Sequence, residues 1–227
     1  MAEWPGQHGG GRARTALVIG GVALAVLAVL GGFLALSALT GKPFAYFSKE
    51  PAETLDVARY IGWAAHVTVL VASFGAAAAL FAGLLVRRQR GPGAHSGFLL
   101  GTGVFTTIIV LDDLLQLHDW VFPRALGVGE RAVFLSYALV LVAVLWRWGR
   151  HVARDNLALA LLAGAFLGFS LAIDQLADPR WAYYHLLEDG AKLMGLAMWT
   201  AYLVRTGLRF ALLAPATAQS EPASRKK

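Results

Sequence analysis

The hydrophobic positions of this 227-residue chain fall into long uninterrupted blocks separated by short polar or charged segments. Thr15 to Gly41 contains no charged residue, and neither do Tyr60 to Val86 or Gly91 to Leu111. A helix needs roughly 20 apolar residues to cross a hydrocarbon core of ~30 Å, so each of these blocks is predicted to span a bilayer. A fourth block runs from Ala132 to Trp146, extended by Gly129 and Trp148, and a fifth from Leu157 to Ile173. The last, Leu193 to Val204, is too short to cross alone. It spans only if its helix starts near Trp181, with His185, Glu188, Asp189 and Lys192 in the first turns. The pattern predicts an all-α polytopic membrane protein, a compact bundle of six transmembrane helices at 15–39, 58–86, 96–119, 129–148, 156–175 and 182–206. That transmembrane domain covers 15–209, with disordered cytoplasmic tails expected over 1–14 and 210–227.

The connectors fit this division. Arg87–Gly93 (RRQRGPG) and Trp146–Asp155 (WRWGRHVARD) are basic turns, and His95 and His151, in basic cytoplasmic loops, are expected to be solvated. Pro51 suits a first helical turn, so Glu50, Glu53 and Asp56 are expected to open the second span. The first block is preceded by Arg12 and Arg14, as a signal peptide would be, but signal h-regions run about 7–15 residues and this one is far longer. It is expected to stay as a span. Glycine and alanine runs such as Ala76–Ala79 and Gly164–Gly168 let helices approach closely. No internal repeat of the kind that builds inverted-repeat transporters is evident.

Composition then excludes whole classes. Hydrophobic residues make up 57% of the chain and charged residues only 15%, against about 25% charged in soluble domains, so a soluble globular enzyme is ruled out. With 0 Cys, no disulfide, thiolate metal site or cysteine nucleophile exists. The net charge of +6 resolves into two opposite shares. With the N-terminus placed in the cytoplasm, thirteen of the 20 Lys and Arg lie on the inner side and eleven of the 14 acids on the outer. That asymmetry places both termini in the cytoplasm of a cell with this protein in its inner membrane. The basic balance reports orientation and contact with anionic lipid; no nucleic acid is expected as a partner.

The outer share of charge carries the candidate chemistry. The third span ends in LDDLLQLHDW, where Asp112, Gln116 and Asp119 share one face of a continuous helix, flanked by Asp113 and His118. The fifth ends outward with Ser170, Asp174 and Gln175, and the sixth begins with His185, Glu188, Asp189 and Lys192 at i, i+3, i+4 and i+7. Glu130 opens the fourth span, and His66 lies two turns into the second, where it is expected to hydrogen-bond a neighbouring helix. Carboxylates gathered at one depth repel one another, and the remedies are a counter-ion, a shared proton or a bound cation. Lys192 supplies one counter-charge, and Arg131 or Arg180 another. The remaining carboxylates with their imidazoles form the donor set of a divalent metal site, zinc above all. The candidate ligands are Asp112, His118, Asp119, Asp174, His185 and Asp189; Asp113, Glu188, Lys192 and Ser170 are the candidates for acid–base or nucleophilic work.

A metal in this position would activate water against a lipid or lipid-linked substrate reaching it from the outer leaflet. The chemistry is similar to that of the seven-helix zinc hydrolases of the alkaline ceramidase and adiponectin-receptor type. The chain departs from them in having six spans and in lacking their three-histidine set with its paired serine. Two other classes compete. In a cation- or proton-coupled transporter the same residues would form a relay, but the inner halves of the spans carry no acid to continue the path. In a non-catalytic assembly or sensor protein the cluster would hold the bundle together or meet a partner.

Overall fold

The computed structural model of the chain describes residues 8–44, 55, 62–149, 157–178 and 180–212. Glu50, Glu53, Asp56 and His151 lie outside the described residues, as do 1–7 and 213–227 of the expected tails. All regular structure among the described residues is helical: α1 (His8–Thr40), α2 (Trp63–Arg90), α3 (Ala94–Leu115), a π-helical turn (Leu117–Val121), α4 (Phe122–Leu126), α5 (Glu130–Trp148), α6 (Leu157–Leu176) and α7 (Tyr184–Leu212). The chain divides into two compact units, residues 1–61 and 62–227.

In the first unit, α1 runs for 33 residues, beginning inside the stretch expected to be a disordered tail. It carries an apolar stretch over Val26–Thr40 and ends where Gly41 adopts φ 66°. That left-handed conformation is open to glycine without a Cβ clash. The Thr40 hydroxyl turns back to donate to the Leu36 carbonyl at 2.7 Å.

In the second unit, four helices are long and apolar enough to cross a membrane: α2, α3, α5 and α6. The sixth expected span, α7, is longer still at 29 residues. Its apolar centre, however, is bounded by Glu188, Asp189 and Lys192 on one side and Arg205 and Arg209 on the other, which leaves too short an uncharged window. The third expected span also differs. Its helix stops at Leu115 and does not continue to Asp119. Gln116 takes φ 51°, ψ 44°, a left-handed conformation uncommon outside glycine, and donates its backbone N–H to the Asp112 carbonyl. The chain then turns through the π-helical residues into α4.

The polar helix α7 packs between α2 and α6 and also meets α3, which packs on α2 and carries α5, so the five long helices of this unit run α5–α3–α2–α7–α6. The core lies among α2, α3 and α7, where Ala79, Ala82, Val86, Phe98, Leu99 and Leu203 are buried. Small residues make these contacts. A Cβ on Gly75 would stand 2.5 Å from Thr200 Oγ1, and one on Gly195 2.7 Å from Leu167 Cγ, so both positions require the bare backbone. Polar groups within the core are satisfied across helices. Trp199 Nε1 donates to Thr106 Oγ1 at 2.9 Å, and Thr200 Oγ1 donates to the Val71 carbonyl at 3.0 Å. At the far end of α2, Arg90 Nη2 donates to the Phe210 carbonyl at 3.0 Å. There His95 stands edge-on to the Phe210 ring at 4.3 Å, which places it against α7 and corrects the expectation of a solvated loop histidine. His66 is exposed on α2, so the helix–helix hydrogen bond expected of it is not made through a buried side chain.

Candidate metal centre

The break after α3 builds the site. On a continuous helix, residues six apart point about 120° away from each other and stand about 9 Å apart along the axis. Because the helix ends at Leu115 and Gln116 reverses the backbone, residue 118 folds back over residue 112. The Asp112 carboxylate, 3% exposed, then receives two hydrogen bonds from one residue. The His118 backbone N–H donates to Oδ1 at 2.8 Å, and the imidazole Nδ1 lies 2.7 Å from Oδ2. A carboxylate only accepts, so this contact calls for a proton on Nδ1 and turns Nε2 to the other side of the ring. The ring is further held at 5.0 Å from Phe134 of α5. Tyr137, one turn further along α5, faces Asp112 as well.

Nε2 points at more carboxylate. It lies 3.3 Å from Asp119 Oδ2, and the nearest ligand atoms of His118, Asp119 and Glu130 all fall within 4.8 Å of one another. Glu130 is the first residue of α5, brought beside the π-helical turn by the short α4 connector. Its carboxylate continues into a second network. Gln175 Nε2 donates to Glu130 Oε1 at 3.2 Å and to Asp174 Oδ2 at 2.8 Å, while Arg131 Nε donates to Gln175 Oε1 at 3.1 Å. The buried Tyr184 at the head of α7 donates its hydroxyl to Asp174 Oδ1 at 3.2 Å. Gly129, Glu130, Arg131, Ala132, Asp174 and Gln175 line an open pocket at this point.

The adjacent aspartates serve different partners. Asp112 faces the turn and α5, whereas Asp113, one residue and about 100° further round, ion-pairs with Lys192 Nζ of α7. Lys192 thus joins α3 to α7, and not Glu188 within its own helix. The other expected site residues lie apart from the cluster. His185 is exposed, stands edge-on to the Tyr184 ring at 4.9 Å and lies 3.8 Å from Glu188. Asp189 is exposed, and Ser170 is buried in α6. Of the six expected ligands, the structure gathers His118 and Asp119, sets Asp112 behind His118, and places Asp174 across the Gln175 amide from Glu130. Glu130 itself was expected only to open a helix. The signal for it is the short distance in sequence from His118 to a helix start beginning with an acid.

These features define an all-helical protein with four helices of membrane-spanning length and a His/Asp/Glu cluster where α3 ends and α5 begins. Residues 16–206 match the family model described as Domain of unknown function (DUF8692), and the chain belongs to that family. No curated protein and no solved structure matches the chain.

Proposed function

We propose that the chain is a multi-pass inner-membrane protein whose outward end binds one divalent cation, zinc by donor type, through His118, Asp119 and Glu130. In this reading α1 and α7 complete six spans, and both termini are cytoplasmic, as the distribution of Lys and Arg favours. The observation that carries the metal is the orientation of His118. A ligating histidine characteristically donates its other ring N–H to a carboxylate, and Asp112 already holds that position at 2.7 Å. Two ligands each ~2.1 Å from one zinc ion stand about 3.4 Å apart in a tetrahedral shell. The 3.3 Å between Nε2 and Asp119 Oδ2 matches, and a Glu130 carboxylate oxygen lies within 4.8 Å of both.

Three protein ligands leave a fourth position for water, the arrangement of catalytic rather than structural zinc. A cation held by His118, Asp119 and Glu130 would supply Lewis-acid activation of water for hydrolysis of an ester in a lipid or lipid-linked substrate, in which water adds to the acyl or phosphoryl centre and the alcohol departs with a proton. Metal content of the purified full chain tests the binding step. About one zinc per chain is expected in the wild type, lost in His118→Ala and retained in His185→Ala. A folded wild type that holds no zinc after reconstitution, or loss only in His185→Ala, would overturn the assignment.

A further inference from the structure

The outer ends of α5 and α6 meet through the side chain of Gln175. Its amide oxygen accepts from Arg131 Nε at 3.1 Å, and its amide nitrogen donates to Glu130 Oε1 at 3.2 Å, both on α5. The same nitrogen donates to Asp174 Oδ2 on α6 at 2.8 Å. One neutral amide therefore stands between two carboxylates, one from each helix. Away from this end the two helices do not pack on each other. Each is seated elsewhere. α5 lies on α3, where Trp148 fills the space over Gly97 and Gly101: added Cβ atoms there would stand 2.6 Å from its Nε1 and 3.0 Å from its Cζ3. α6 lies on α7, with Leu167 against Gly195 and the Tyr184 hydroxyl on Asp174. The seam between α5 and α6 joins the two ends of the helix row, and Gln175 fastens it.

We infer that Gln175 is a latch: the outer ends of α5 and α6 part and rejoin through its hydrogen bonds, opening the pocket at Glu130 and Asp174 sideways while the other helix contacts stay packed. Three features make the seam easy to open. The bond to Arg131 is exposed, so water replaces it at little net loss. No side-chain packing lies beneath the latch to be forfeited, and lipid tails contact a separated helix face as well as another helix would. The carboxylates of Glu130 and Asp174 repel each other across the seam once the amide between them leaves. Local opening concentrates where exposed hydrogen bonds outnumber apolar contacts, and here the fastening is hydrogen bonds alone. The latch needs no cation, so it stands or falls apart from the metal assignment.

With 0 Cys in the chain, spin labels can be placed one pair at a time. Leu135→Cys on α5 with Leu176→Cys on α6, both exposed, reports the seam by double electron–electron resonance. The sample is the full chain in phosphatidylcholine nanodiscs with a chelator present. Val67→Cys on α2 with Leu111→Cys on α3, also exposed, reports a packed pair at the same end. The seam pair is expected to show a main distance and a longer minor one. Gln175→Leu, similar in size but unable to make the bonds, should raise the longer population at least threefold. Arg131→Met, which removes one bond of the latch, should raise it less. The α2–α3 distance and the thermal midpoint should stay unchanged in both variants. A single seam distance that Gln175→Leu leaves unaltered would overturn the inference. So would an equal shift in the α2–α3 pair, because Gln175 would then support the whole bundle and not a seam. Zinc content of the same protein separates the two readings. A chain whose seam opens but which holds no zinc refutes the metal site alone; one that holds zinc with a fixed seam refutes the latch alone.

Discussion

Replacing Asp112 by asparagine probes the site through a single proton. The native carboxylate accepts from both the backbone N–H and Nδ1 of His118, at 2.8 and 2.7 Å. Asparagine keeps the shape but has one accepting and one donating end. With its oxygen on the backbone N–H, its amide faces Nδ1, which must then accept, and the ring proton moves to Nε2. That nitrogen can no longer ligate. With the amide reversed, two donors face each other at the backbone, in a site where Asp112 is only 3% exposed. Either outcome penalises the binding-competent tautomer. Loss of an outer-sphere partner of this kind lowers metal affinity about 10–100-fold, or ~1.4–2.7 kcal/mol. Competition with a chromophoric zinc chelator on detergent-purified wild type and Asp112→Asn measures it, with circular dichroism as the check on folding. Equal affinities in two folded proteins would show that Asp112 does not set the His118 tautomer, and the reasoning would fail.

Other perturbations address the frame that positions the site. Gly75→Leu drives a side chain into Thr200, where even a Cβ stands 2.5 Å from Oγ1; overpacking of this type costs roughly 1–3 kcal/mol or more and should lower the thermal midpoint in detergent, whereas Gly164→Leu should not. Lys192→Met strands Asp113 with its partner gone, at a cost between the ~0.5 kcal/mol of a surface pair and the ~4 kcal/mol of a fully buried one; adding Asp113→Asn should recover most of the lost stability. Trp199→Phe removes the hydrogen bond from the indole N–H to buried Thr106 and should cost about 1–2 kcal/mol by chemical unfolding. Because the chain has 0 Cys, single cysteines report topology: Arg124→Cys should react with an impermeant maleimide in intact cells, and Arg88→Cys only after the membrane is opened.

What could be read from sequence follows from how each feature is encoded. The four apolar helices are written as uncharged runs, and length alone decides them. α7 is harder, because its charged first turns look like a water boundary, while the fold uses Lys192 as a tie to α3 and buries Tyr184 beneath Asp174. The end of α3 carries no glycine or proline to mark it. A leucine-rich run through Leu114–Leu117 reads as unbroken helix, and only the tertiary setting holds Gln116 in a left-handed conformation. This one break decides the site, since Asp112 and His118 lie on different faces of any straight helix. Glu130 was hidden for a related reason. Acids at helix starts are favoured by the helix dipole wherever they occur, so the position says nothing about what the connector brings beside it.

The central claim is the coordination of one cation by His118, Asp119 and Glu130. X-ray absorption at the zinc edge of the zinc-loaded full chain tests it most directly. The expected spectrum shows four nitrogen or oxygen neighbours at about 2.0–2.2 Å, with the outer-shell scattering of a single imidazole that vanishes in His118→Ala. A shell of water oxygens without imidazole scattering, or a spectrum unchanged in His118→Ala, would contradict it.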